Sequence, residues 1–149
     1  MISQQKFQGD ESSPATVSGA ATNARPLRVL LVEDDRSLRR YLEVVLQREG
    51  YEVIATVDGL EAMRATLTSR VDIVVTDAIM PNLNGYELVR FLRNTPHLAC
   101  LPIVLLSAME IKDNSEGQKA DVYLSKPVSP ESLTRCLDEL MRKEVMSDE

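Results

Sequence analysis

Polar residues able to do chemistry close four of the apolar runs in this chain. Glu33, Asp34 and Asp35 follow LRVLLV (27–32), and Asp77 follows VDIVVT (71–76). Ser107 follows PIVLL (102–106), and Lys126 stands just after the short run VYL (122–124). Carboxylates gathered at one edge of a sheet repel one another unless a cation neutralises them. A set of hard oxygen donors with room for water suits Mg2+ better than zinc or copper. One lysine and one hydroxyl beside such a cluster are placed to hold an anion. The combination suits phosphoryl transfer, in which catalysis is mostly positioning and neutralisation of oxygen charge. An aspartate can itself be the nucleophile and become an acyl phosphate. Asp77 is the best candidate, because it follows the most hydrophobic run and precedes the loop AIMPNLNG (78–85).

Those residues need elements to bring them together. Residues 27–32 form a short, nearly continuous apolar run, as expected of a strand buried on both faces. Residues 37–49 carry Leu38, Tyr41, Leu42, Val45 and Leu46 at helical spacing, with Gly50 at the stop. A β-branched strand over 51–57 leads to Asp58, a cap with Glu61 three residues on, and a helix to about Ser69 through Leu60, Met63 and Leu67. A third strand ends at Asp77, and Asn84 is placed to cap a helix over 86–94. Residues 102–106 and 122–124 give the last two strands. Ser129 followed by Pro130 opens a final helix through Leu133, Cys136, Leu137, Leu140 and Met141. Strands alternating with helices imply an α/β fold: a five-stranded parallel sheet with right-handed crossovers and helices on both faces. Ligands gather beyond the carboxyl ends of such strands, where the polar residues stand.

Composition narrows the field further. The 149 residues include 17 Lys and Arg against 23 Asp and Glu, a net charge of −6, and 44% are hydrophobic. An acidic chain is poorly suited to bulk binding of nucleic acid or anionic membrane. No run approaches a membrane span, and residues 1–26 lack the apolar core of a secretory signal. One histidine, no tryptophan and two well-separated cysteines offer no His-based triad, zinc cage or disulfide framework. A reducing cytoplasm is the expected setting. Residues 1–26 are dominated by small residues and proline, with Lys6 and Arg25 balancing Asp10 and Glu11. They are expected to form a disordered, neutral tail. The acidity therefore belongs to residues 27–149, one compact domain over 27–143 followed by a short tail over 144–149.

The stretches LRVLLVEDD (27–35), VVTDAIMPNLNGYEL (74–88), PIVLLSA (102–108) and YLSKP (123–127) resemble the receiver domain of two-component response regulators, the flavodoxin-like, CheY-like fold. Taken in order and at compatible spacings, they are highly specific. The resemblance implies that Asp77 accepts a phosphoryl group from a sensor histidine kinase or phosphotransfer protein. It implies that Glu33 and Asp34, with Asp77 and the backbone carbonyl of Ile79, hold Mg2+. Ser107 corresponds to the hydroxyl that meets the phosphoryl oxygens, and Lys126 to the lysine that pairs with them. Tyr123 corresponds to the aromatic that turns inward when Ser107 shifts, and the Lys126–Pro127 peptide to a cis bond. Phosphorylation adds charge and acceptor oxygens, so the implied output is a population shift between two surface states. The implied output face combines the fourth helix, the fifth strand and the last helix. Such a chain is a switch, not a metabolic enzyme: it catalyses only its own aspartyl phosphorylation and dephosphorylation. With the sequence ending in MSDE soon after the last helix, a stand-alone receiver without an output domain is expected. Its downstream protein partner is not specified, and dimerisation through the output face is compatible with the resemblance.

Two departures carry expectations of their own. Residues 110–119 (EIKDNSEGQK) hold a single aliphatic side chain, Ile111, and the stretch is about one helical turn short. The fourth helix is therefore expected to be shortened, irregular or mobile. Lys119 also stands where the family normally has glycine. Ile79 and Met109, two residues past Asp77 and Ser107, are bulky and apolar, so neither can orient water and slow self-dephosphorylation is expected. Other readings fit less well. A phosphorylation-independent docking module would not need Asp77, Ser107 and Lys126 together. A haloacid-dehalogenase-like phosphatase would need aspartate at position 79. A nucleotide or flavin binder would need a glycine-rich loop where EDDRS (33–37) stands. Asp35 and Asp58 read as helix caps, His97 as a surface residue, and Cys100 and Cys136 as small apolar residues.

Overall fold

The computed structural model describes residues 25–108 and 119–147. Five strands run parallel in the order β2-β1-β3-β4-β5: β1 (Arg28–Val32), β2 (Glu52–Thr56), β3 (Ile73–Asp77), β4 (Ile103–Ser107) and β5 (Val122–Ser125). The helices among the described residues are α1 (Arg36–Arg48), α2 (Gly59–Thr68), α3 (Gly85–Arg93) and α4 (Pro130–Ser147), with a 3-10 turn at Pro96–Leu98. The α/β architecture expected from the sequence is thus present. The last helix continues past residue 143 to Ser147. Of the stretch expected to hold an irregular fourth helix, 110–119, all but Lys119 lies outside the described residues, as do residues 1–24 of the expected tail over 1–26.

Strand residues alternate between two apolar layers, which is why the strand runs show no polar face. Leu30, Val32, Val74, Ile103 and Leu105 pack with Ala62 of α2 and Leu88, Val89 and Leu92 of α3. Val29, Leu31, Ile73, Val75, Val104 and Leu106 face the other way, against Leu42 and Leu46 of α1 and Leu133 and Leu137 of α4. Each fully buried Val, Leu or Ile side chain among them contributes roughly 1.5–3 kcal/mol. The central strands β3 and β4 are buried over their whole length, so the residues ending them are fixed with little freedom.

One packing expectation is corrected. Leu60 and Leu67 of α2 were expected to face the core, yet they are 47% and 56% exposed. The helix instead buries Gly59, Ala62 and Thr66, while Met63 of the expected stripe is partly buried against the core. Small residues let the helix axis approach closely, and Gly59 lies against the loop after β3: a Cβ there would stand 2.1 Å from the Leu83 carbonyl oxygen. Tyr41, expected in the buried stripe of α1, is nearly half exposed. Cys136 is buried in the core as expected, whereas Cys100 is exposed.

Candidate functional site

The sheet order changes direction between β1 and β3, and the carboxyl ends of those strands carry the acidic residues. Ligand crevices open at such a point. Glu33 follows β1, and its N–H still bonds the Thr56 carbonyl of β2 at 3.1 Å, so it leaves the sheet as a fixed residue. Asp77 is the last residue of β3, inside the strand rather than after it, and is 6% exposed. Ser107 ends β4 and is buried, and its carbonyl accepts the Lys126 N–H at 2.8 Å. The Lys126–Pro127 peptide is cis, as expected.

Three of the residues singled out in the sequence meet directly. Lys126 Nζ lies 3.0 Å from Asp77 Oδ1 and 3.2 Å from Glu33 Oε1. Glu33, Asp34 and Asp77 each offer a carboxylate oxygen, and these atoms lie within 4.8 Å of one another. Glu33 is buried and Asp34 exposed, so the cluster has a protein side and a solvent side. Three carboxylates against one lysine leave about two negative charges, which hard divalent cations match. Asp35 stands apart from this group. It caps α1, accepting the Leu38 N–H at 3.1 Å, and its own N–H bonds Glu33 Oε2 at 3.1 Å. Tyr123 lies in β5 opposite Leu105, half-buried against the core, and its hydroxyl accepts the Ala120 N–H at 3.3 Å. The Ile79 side chain is 62% exposed beside the site, and Met109 lies outside the described residues.

Electrostatics register the crowding. Burial pushes the Glu33 carboxyl up to about 7, reinforced by the Asp77 charge and only partly offset by the Asp35 N–H and by Lys126. Partial burial works against the charge on Lys126, but its bonds to Asp77 and Glu33 outweigh this and hold it above the ordinary ammonium value. A raised carboxyl binds its proton more tightly in the folded chain than in the unfolded one. Its stabilising effect is full below the ordinary value of 4.5 and is lost as pH rises through about 7. In EDTA, the melting temperature is therefore expected to fall from about pH 5 to about pH 8. Glu33→Gln, which cannot ionise beside Asp34, Asp77 and Lys126, should flatten that slope. Equal slopes in variant and wild type would contradict this account.

Several positioning residues escaped the sequence reading. Arg39 Nη1 donates to the carbonyls of Glu33 at 2.9 Å and Asp34 at 3.4 Å. Its signal was an arginine one turn past the cap, since helical side chains lean back toward the N-terminus. The loop after Asp77 is latched to α2: Asn82, at φ 70°, donates to Asp58 at 2.7 Å, and the Gly59 N–H bonds the Leu83 carbonyl at 3.1 Å. Asp58 is thus both the expected cap, bonding the Glu61 N–H, and an anchor for that loop. Arg93 of α3 joins the Ala99, Leu101 and Lys119 carbonyls and pairs with Asp121 at 2.9 Å. It thereby ties the starts of β4 and β5 to α3.

Comparison with known proteins agrees with this geometry. The family model of the response regulator receiver domain matches residues 29–138. The transcriptional regulatory protein GltR of Pseudomonas aeruginosa is 34% identical over 118 residues, covering 77% of this chain and 49% of GltR. The chain thus spans about half the length of that relative. Among solved structures, the chemotaxis response regulator CheY4 of Vibrio cholerae has a TM-score of 0.70 at 31% identity, covering 77% of this chain and 98% of CheY4. The receiver domain of the sensor histidine kinase PA1611 from Pseudomonas aeruginosa PAO1 has a TM-score of 0.71 at 30% identity, covering 77% of this chain and 97% of that one. That structure holds a magnesium ion in its active site cleft. A parallel 2-1-3-4-5 sheet, an acidic cluster at its switch point and a family match over residues 29–138 leave one conclusion: this chain belongs to the response regulator receiver domain family.

Proposed function

We propose that the chain accepts a phosphoryl group on Asp77 from a sensor histidine kinase or phosphotransfer protein and changes its surface for a protein partner. The observation that carries this reading is Asp77 itself. Its carboxylate is almost fully buried at a strand end, salt-bridged to Lys126 and within reach of two further carboxylates. Nothing in the core packing requires that arrangement, and a turn-forming aspartate would not explain it. The donor set fits a hard divalent cation held by Glu33, Asp34, Asp77 and the Ile79 carbonyl. When bound, Mg2+ supplies charge neutralisation to the phosphoryl oxygens.

The residues of the chain do the rest. An Asp77 carboxylate oxygen attacks phosphorus, the bond from phosphorus to the donor breaks, and the donor leaves with its electron pair. Lys126, already 3.0 Å from Asp77, pairs with the new oxygens, and the Ser107 hydroxyl hydrogen-bonds them. Drawing Ser107 toward the acyl phosphate shifts the end of β4, and Tyr123 on β5 responds by turning inward. That transmits the change to the face carrying β5 and α4. Ile79 gives water no polar partner beside Asp77, so the acyl phosphate is expected to be long-lived.

Acetyl phosphate with Mg2+ tests the reading. The intact chain should gain one phosphoryl group by mass, slow to disappear, and Asp77→Asn should gain none. An unmodified wild type under these conditions would favour a docking module that works without phosphorylation.

A further inference from the structure

Beyond the end of β1, the turn that carries Glu33 and Asp34 presents two main-chain carbonyls. The Glu33 N–H is still tied to β2, and the Asp35 N–H is taken by the Glu33 carboxylate. The Glu33 and Asp34 carbonyls lie beyond the strand ladder, which ends at Val32. Arg39 meets both of them from one nitrogen. Its backbone is fixed in the helix, because its main-chain N–H closes the first turn of α1 on the Asp35 carbonyl at 2.8 Å. A guanidinium on a rigid helix therefore grips the main chain at the two residues whose side chains make up most of the acidic cluster.

Resting on the proposed metal reading, we infer that Arg39 is a positioning residue for the cation site. By holding the Glu33 and Asp34 carbonyls, it sets the peptide planes from which their carboxylates reach toward Asp77. The charge of Arg39 makes the inference sharp, since a cation near the cluster repels a second cation. If only its charge mattered, removing it would tighten Mg2+ binding. If it positions the ligands, removing it weakens Mg2+ binding despite the lost repulsion. If it merely supports the fold, its loss lowers the melting temperature and leaves Mg2+ affinity alone.

Calorimetric titration of Mg2+ into the full chain separates these outcomes. Arg39→Met is expected to weaken binding by roughly tenfold or more, as is usual when a partner behind metal ligands is lost. Arg39→Lys keeps the charge on a more flexible stem and should lose less. Phosphorylation by acetyl phosphate should then need more Mg2+ for half-maximal rate while reaching a similar plateau. Unchanged or tighter Mg2+ binding by Arg39→Met overturns the inference. If Arg39→Met does not fold, Arg39→Lys decides: weaker binding supports it and wild-type binding overturns it. A wild type that binds no Mg2+ overturns the metal reading and this inference together. Equal binding by wild type and variant overturns the inference alone.

Discussion

Lys126→Met is expected to unfold at a markedly lower temperature than the wild type in EDTA and to recover much of the loss in Mg2+. The lysine is the cation lying between Asp77 and Glu33, at 3.0 and 3.2 Å. Methionine fills the same space without the charge, so packing is kept and electrostatics alone change. Two buried carboxylates would then face each other without a counter-ion. Leaving such groups unpaired costs about 2–3 kcal/mol. The cost does not grow further, because Glu33, already pushed up to about 7, takes up a proton instead. For a domain of this size that loss lowers the melting temperature by roughly 10 °C. A divalent cation would replace the missing charge, so the gap should narrow as Mg2+ rises, and it should also narrow at about pH 5 where Glu33 is protonated. Melting curves at two pH values, with and without Mg2+, check all three statements. A variant as stable as the wild type in EDTA at neutral pH would show that the ion pairs carry no net stabilisation.

The residues central to that prediction were legible because chemistry and topology coincide at strand ends. Apolar runs marked the strands, capping residues such as Asp58 and Asn84 marked the helix starts, and a parallel sheet forces the strand ends to one edge. Glu33, Asp77, Ser107 and Lys126 could therefore be placed side by side before any contact was seen. What stayed hidden depends on close approach rather than on residue type. Periodicity singled out Leu60 and Leu67 in α2, whereas the helix packs through Gly59, Ala62 and Thr66, because a small face brings it near the sheet and the Leu83 loop. Arg39 stayed hidden for another reason: it bonds main-chain carbonyls, and their only trace in the sequence is an arginine one turn past the Asp35 cap. Asp58 looked complete as a cap, so its second role in holding Asn82 had no separate signal.

Gly85→Ala should be the most damaging single-methyl change at the site, because its methyl has nowhere to go. A Cβ at Gly85 would stand 2.2 Å from the Asp77 carbonyl oxygen, 2.9 Å from the Ala78 Cα and 3.0 Å from Leu105 Cδ1. The first two neighbours are backbone at the end of β3, a strand buried over its whole length, so they cannot yield cheaply. The start of α3 must move instead, and it is held by the Gly85 N–H bond to the Ala78 carbonyl at 2.8 Å and by the Asn84–Glu87 capping box. Overpacking of this kind costs about 3 kcal/mol. Gly59→Ala meets a comparable obstacle in the Leu83 carbonyl, but that carbonyl belongs to the loop between β3 and α3, so the displacement falls there and not on the Asp77 carbonyl itself. The two variants should therefore part company. Both should lose stability in chemical unfolding, whereas Gly85→Ala should also lose most of its phosphorylation rate with acetyl phosphate. Gly59→Ala should retain more of that rate, since the strand end stays in place. Equal losses of rate in the two variants would mean that Asp77 is positioned by the loop as a whole rather than by the contact of α3 with its carbonyl.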